Sequence, residues 1–272
     1  MSEPGAGASA AAFFDLDKTL IEGASGLHFA RAAFKAGVVS RRRLLSDLWA
    51  NLQFRLRGST DAKADAVRER LLEEMRGVRQ LDLARLGPDV LAGLLPSVYP
   101  QMLKVAWKHQ DAGRRAYIVT AASRELAELL ARVLVLDGGV GTAYEVREGR
   151  YTGRLEGPFT YRDGKAEALR SMADREGIDL AASYAYSDSE SDLPMLRAVG
   201  HPVAVNPDAE LERIARAEGW EVMRFDKLAR RLRIAAAVAA VGVVGGGGGY
   251  LAARLPSGQA RRRIRMRAPR LG

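Results

Sequence analysis

The sequence predicts an α/β protein: an open, doubly wound parallel sheet with helices on both faces and an α-helical insertion after the first strand. Three observations carry that prediction. Short apolar runs at 11–15, 115–120, 184–187 and 202–205 each lead towards a helical stretch, and strands alternating with helices build parallel sheets. Between the first two runs, residues 27–95 follow the three-and-four spacing of helices rather than the alternation of strands. Polar residues gather where strands end, at Asp15, Thr120 and Asp188, which is where open parallel sheets hold ligands.

Taken in order, residues 1–10 read as a flexible leader of Ala, Gly and Ser. They lack the basic start and long apolar core of a secretory signal. Residues 11–15 form the first strand. Leu44, Leu45, Leu48, Leu52 and Leu56 then mark one face of an amphipathic helix, which has to pack on partners in a small bundle. After Tyr99-Pro100 a helix runs to about Ala112, followed by a strand and a helix from Ser123 to Leu136. A hairpin spans 143–155 and turns at Glu148-Gly149. A helix from Asp163, strands near 184–187 and 202–205, and helices near 190–199 and 208–218 complete the pattern. The core is thus 11–22 with 97–226, the helical insertion is 23–96, and 227–272 is a basic tail.

The chain has no cysteine, which excludes disulfides and thiolate metal sites. Its net charge of +9 is concentrated at one end. Residues 1–223 hold 30 basic and 32 acidic side chains, whereas 224–272 hold 12 and one. A nucleic-acid enzyme would carry its basic stripe on the folded body, so no nucleic-acid partner is expected. Residues 234–253 form twenty consecutive uncharged residues, long enough to cross a bilayer as a helix. Gly245 to Gly249 and many alanines weaken that helix. Three readings therefore stay open: a transmembrane helix, a segment held on an anionic membrane surface by Arg261, Arg262, Arg263, Arg265 and Arg267, or a linker to a basic arm. The expected location is the cytoplasm, with membrane association resting on this tail, and nothing in the sequence sets an oligomeric state.

The chemistry is written in four segments. Residues 13–19, Phe-Phe-Asp-Leu-Asp-Lys-Thr, set Asp15 and Asp17 one residue apart as a buried strand ends. Alternate strand residues share a face, so the two carboxylates start out together and separate as the chain turns. One can attack phosphorus while the other manages a proton. Residues 116–123 run from an apolar strand into Thr120, residues 163–170 place Lys165 at a helix start, and residues 183–196 carry Asp188 and Asp192. Each alone has a plain structural explanation as a cap, turn or surface residue. His28, His109 and His201 are isolated and read as structural or surface residues.

In this order the four segments resemble the motifs of the haloacid dehalogenase superfamily, most of all its phosphoserine-phosphatase-like branch, the subfamily IB hydrolases. The resemblance spans roughly residues 10–226. It implies a Rossmann-like core with a helical cap, and a phosphatase acting through a phosphoaspartate. Asp15 would be the nucleophile and Asp17 the acid and base, while Thr120 and Lys165 would bind the phosphoryl group. It also implies Mg²⁺, held by Asp15, Asp17 through its backbone carbonyl, Asp188 and Asp192, because these are hard oxygen donors beside a phosphate. The substrate would be a small phosphorylated metabolite, phosphoserine-like or lipid-related. In phosphoserine phosphatases a glutamate stands seven residues beyond the second aspartate; here that position is Ala24, with Glu22 nearby. Two other readings are a phosphomutase built on the same aspartates and a non-catalytic, membrane-associated scaffold.

Overall fold

The structure is a computed structural model, and it describes residues 9–37, 68–70 and 72–225. The expected leader, apart from Ser9 and Ala10, the leucine stripe at 44–56 and the tail from 227 onward lie outside the described residues. Ser9 is paired rather than loose: it donates to Gly177 O at 3.1 Å and accepts from Asp179 N at 3.2 Å.

Six parallel strands form the main sheet: β1 (Ala11–Asp15), β2 (Arg115–Ser123), β3 (Gly138–Thr142), β6 (Tyr184–Ser187), β7 (His201–Val205) and β8 (Glu221–Met223). Their spatial order is β3-β2-β1-β6-β7-β8. The first strand is central and every residue in it is buried, which its sequence, Ala-Ala-Phe-Phe-Asp, suits in all but the last position. Alternation divides it between two faces. Ala11 and Phe13 join a core with Leu169, Met172, Met195, Leu196, Leu211 and Ala215. Those residues come from α6 (Asp163–Glu176), α7 (Leu193–Leu196) and α8 (Ala209–Ala217). Phe14 faces the other way, stacked on Tyr186 with ring centroids 4.5 Å apart and edge-on to His109 of α4 (Pro100–Asp111).

The helix α5 (Arg124–Val133) covers the β3 edge on that second face. A Cβ at Gly139 would lie 2.3 Å from the backbone carbonyl carbon of Ala127, so only glycine lets the helix lie so close to the strand. That requirement also hid β3 from a reading of propensity, since Gly-Gly-Val-Gly-Thr is a poor strand sequence. Strand β8 is only three residues long and was not expected either. A separate hairpin, β4 (Tyr144–Arg147) and β5 (Arg150–Leu155), turns at Glu148 and Gly149, both with positive φ, as a two-residue hairpin turn requires.

Between β1 and α4 the described part of the insertion is helical: α1 (Ser25–Lys35), residues 68–70 and 72–75, α2 (Gln80–Ala84) and α3 (Gly87–Leu94). Leu86, Val90 and Leu94 are its buried apolar contacts, with Ala32 and Ala33 on α1. The two connections to the sheet run side by side. Glu22 N donates to Ser97 O at 2.7 Å, and Tyr99 N donates to Leu20 O at 2.8 Å. The β4–β5 hairpin also pairs with the insertion, through Gly77 N to Tyr151 O at 2.8 Å and Tyr151 N to Val78 O at 3.0 Å.

Candidate active site

The site is built at the carboxyl end of the central strand. Asp15 is the last residue of β1 and follows Phe13 on the face covered by α6. On that helix Leu169 is part of the core, and Lys165, one turn earlier, lies on the same side. Its ammonium therefore reaches the strand end, 2.5 Å from Asp15 Oδ1 and 2.7 Å from Asp192 Oδ2. Gly164 allows this docking, because a Cβ there would stand 1.9 Å from Phe159 O. Ser187, the final residue of β6, donates its hydroxyl to the same Asp192 Oδ2 at 2.7 Å.

Four of the expected residues sit around this centre. Asp15 and Asp188 are 6% exposed, and Lys165 and Asp192 are 3% exposed. Thr120, also buried, directly follows Val119, the register partner of Asp15 on the neighbouring strand. Its hydroxyl accepts from Ala122 N at 3.1 Å, which leaves the O–H proton available to a ligand. Asp17 is half-buried and accepts from the backbone N–H of Ser25 at 2.8 Å, so the start of α1 fixes the second carboxylate. The turn between them is tight: Leu20 N and Ile21 N both donate to Leu16 O at 3.0 Å, and Lys18 adopts φ +60°. Thr19 is fully buried there, its hydroxyl without a partner among the described residues.

The electrostatics are lopsided. Three buried carboxylates face one buried ammonium. Burial pushes the Asp15 carboxyl well above its ordinary range; Lys165 opposes this, while Asp192, Asp188 and Asp17 reinforce it. Burial pulls the Lys165 ammonium down, but the Asp15 and Asp192 carboxylates outweigh it and keep the group protonated. Burial lifts Asp188 to about 6, against the pull of Lys18, whose Nζ lies 3.3 Å from Asp188 Oδ2.

A divalent cation fits this donor set. The surplus charge is negative, every donor is an oxygen, and burial penalises each uncompensated carboxylate. Among the described residues no three His, Asp or Glu side chains already converge as a metal cage. Asp192 commits one oxygen to Lys165 and Ser187, so it positions the ammonium as well as adding negative charge.

Sequence reasoning did not single out Ser187 or Ser25 for the site. The first ends a strand beside the acidic segment, a signal that was available; the second acts through its backbone, which no sequence pattern marks. His28 also stands nearer the site than an isolated histidine suggests. It lies one turn beyond Ser25 on α1, its pKa lowered by burial and by Arg31 and raised by Asp17. The apolar tail segment at 234–253 lies outside the described residues, among which no helix is long and apolar enough to cross a membrane.

The family model of haloacid dehalogenase-like hydrolases matches residues 12–197. The chain is 38% identical over 253 residues to a protein of Mycobacterium tuberculosis named phosphoserine phosphatase SerB1, covering 92% of this chain and 82% of the other. It is 31% identical over 219 residues to a histidinol-phosphatase of Neisseria meningitidis, covering 79% and 98%. A crystal structure of a Bordetella pertussis protein of unknown function superposes with a TM-score of 0.68 at 32% identity, covering 79% and 98%. With three motif segments at strand ends, the fourth at a helix start, and the match over most of its length, the chain belongs to the haloacid dehalogenase-like hydrolases.

Proposed function

We propose that the protein is a Mg²⁺-dependent phosphomonoester hydrolase working through a phosphoaspartate on Asp15. The observation that carries this reading is the buried Asp15–Lys165–Asp192 cluster at the end of β1, with Asp17 held beside it by α1. The family match and relatives named as phosphatases support it. Residues 11–22 with 97–226 would be the catalytic body and 23–96 the cap.

Each residue has a physical task. An Asp15 oxygen attacks phosphorus, the P–O bond to the alcohol breaks, and Asp17 gives the departing oxygen a proton. Water then attacks the acyl phosphate; Asp17 takes its proton, and Asp15 and phosphate are released. Lys165 offsets the charge brought together when a carboxylate meets a phosphate dianion. Thr120 donates its hydroxyl to a phosphoryl oxygen. Asp188 and Asp192, with Asp15 and the Asp17 carbonyl, would hold Mg²⁺, which supplies charge neutralisation at the phosphoryl oxygens. Ser187 positions Asp192.

The substrate is a small phosphorylated metabolite. Phosphate release is the direct test, with wild type and Asp15→Asn each assayed with Mg²⁺ and with EDTA. Release that needs Mg²⁺ and vanishes in the variant supports the reading. Equal release by both proteins refutes it.

A further inference from the structure

One cation beside the site has no task in the mechanism above. Lys18 stands in the turn between β1 and α1 with φ +60°, a left-handed conformation that suits glycine and strains lysine. The backbone fixes this turn. Lys18 N donates to Gly23 O at 3.0 Å, and Leu20 N donates to Leu16 O at 3.0 Å. None of those contacts needs a side chain, yet a long cationic one is present. A residue kept in a costly conformation points to a use for what it carries.

The side chain crosses to the end of β6. Its Nζ lies 3.3 Å from Asp188 Oδ2, the one ion pair that Asp188 makes among the described residues. The two ends of the pair differ: the lysine side chain is 53% exposed and the aspartate side chain 8%. Lys165 is the opposite case, buried with its carboxylates, Asp15 and Asp192. One ammonium is therefore built into the site. The other reaches it from solvent on a flexible stem and can swing away without moving the turn.

Charge balance distinguishes the two ammoniums further. Asp15, Asp188 and Asp192 are all buried, where an uncompensated carboxylate is penalised. With Lys165 and Lys18 in place, the three carboxylates retain one negative charge. With a divalent cation in place of Lys18, the substrate-free centre is neutral; with both, it would be positive. Lys18 and the cation are thus alternatives at Asp188, not partners.

We infer that Lys18 is an exchangeable counter-ion: its ammonium occupies Asp188 in the metal-free protein, yields that carboxylate when a divalent cation binds, and so sets the affinity of the metal site. The inference rests on the Mg²⁺ reading above and deepens it. A neutral residue at position 18 removes a competitor and tightens cation binding, the reverse of losing a residue that supports a metal ligand. It also strips Asp188 of its ion-pair partner, so the metal-free protein loses stability that Mg²⁺ restores.

Calorimetric titration of the full chain with Mg²⁺ at pH 7.5, without substrate, reads this directly. Lys18→Met and Lys18→Gly should each lower the Kd for Mg²⁺ about tenfold. Lys18→Arg, which keeps the charge, should stay close to wild type. The glycine variant relaxes the backbone and the methionine variant does not, so agreement between them assigns the effect to charge; the glycine variant also serves if the methionine one fails to fold. In thermal melts with EDTA Lys18→Met should unfold below wild type, and its gain in Tm on adding Mg²⁺ should be larger. Binding by the neutral variants that equals or falls below wild type overturns the inference and leaves the Mg²⁺ reading intact. Wild-type affinity in Asp188→Asn overturns it too, because Asp188 would then take no part. If wild type and every variant bind no Mg²⁺, the metal reading fails and the inference with it.

Discussion

Two buried polar clusters lie back to back on the central strands, and they differ in one respect. On one face Asp15, Lys165, Asp192 and Ser187 form an ionic cluster with more negative than positive charge. On the other, His109, Tyr186 and Arg114 form a hydrogen-bonded chain that contains no carboxylate. Arg114 Nε donates to His109 Nδ1 at 2.7 Å, which assigns the proton to His109 Nε2, 2.7 Å from the Tyr186 hydroxyl. Burial and Arg114 hold His109 down to about 4, so it stays neutral at physiological pH. Each cluster carries a charge that its own residues do not balance, but in the second it is the half-buried Arg114 guanidinium, whereas in the first it rests on carboxylates that are almost wholly buried. Buried uncompensated charge, rather than titratability alone, separates the two clusters.

The largest contrast is expected from the two clusters' central residues. Asp15→Asn removes the nucleophile and should lower kcat by at least about 10⁴-fold. His109→Phe should leave kcat within about threefold and cost roughly 1–3 kcal/mol, the penalty for an unpaired Tyr186 hydroxyl, measured by urea unfolding. A catalytic collapse in the His109 variant would break the comparison. Next in size, Lys165→Met should lower kcat by about 10²–10³-fold, as removal of one preorganised charge does. A smaller loss is expected from Ser187→Ala, which frees Asp192 of one donor; loss of such an outer partner weakens metal binding about 10–100-fold. Calorimetric titration with Mg²⁺ reads this without reference to turnover.

A pH dependence sharpens the same point at the smaller end. In the metal-free protein Asp188 titrates near 6 rather than at its ordinary 3.8. Between those values the folded chain keeps a proton that the unfolded chain has released. Its contribution to stability therefore declines as pH rises through that window, by up to ~3 kcal/mol. A cation replaces the proton, so the gain in Tm on adding Mg²⁺ should be larger at pH 7.5 than at pH 5. A gain independent of pH would mean that Asp188 takes no part in binding.

Much of this was legible in the sequence. Strands β1, β2, β6 and β7 are apolar runs, the first three leading into candidate site residues, and the hairpin announced itself through Glu148-Gly149. Asp15, Thr120, Lys165, Asp188 and Asp192 stand at strand ends or a helix start, where parallel-sheet logic places ligand residues. What escaped has physical reasons. Strand β3 is glycine-rich because α5 lies against its backbone, a tertiary demand that overrides propensity. The segment expected as one helix near 190–199 is a short 3₁₀ turn at Glu190–Asp192 followed by α7, with Pro194 near the junction. The anchoring of Asp17 by Ser25 N–H is a backbone contact, to which any residue but proline could contribute.

The most direct test of the central claim is to find the phosphoryl group in mid-reaction. Protein turning over a substrate ester with Mg²⁺ would be quenched in acid, digested and mapped by mass spectrometry, alongside Asp15→Asn and Asp17→Asn. We predict a phosphoryl group on the peptide containing Asp15, enriched in Asp17→Asn, where hydrolysis is slowed, and absent in Asp15→Asn. Turnover with the label on another residue, or persisting in Asp15→Asn, would contradict the account.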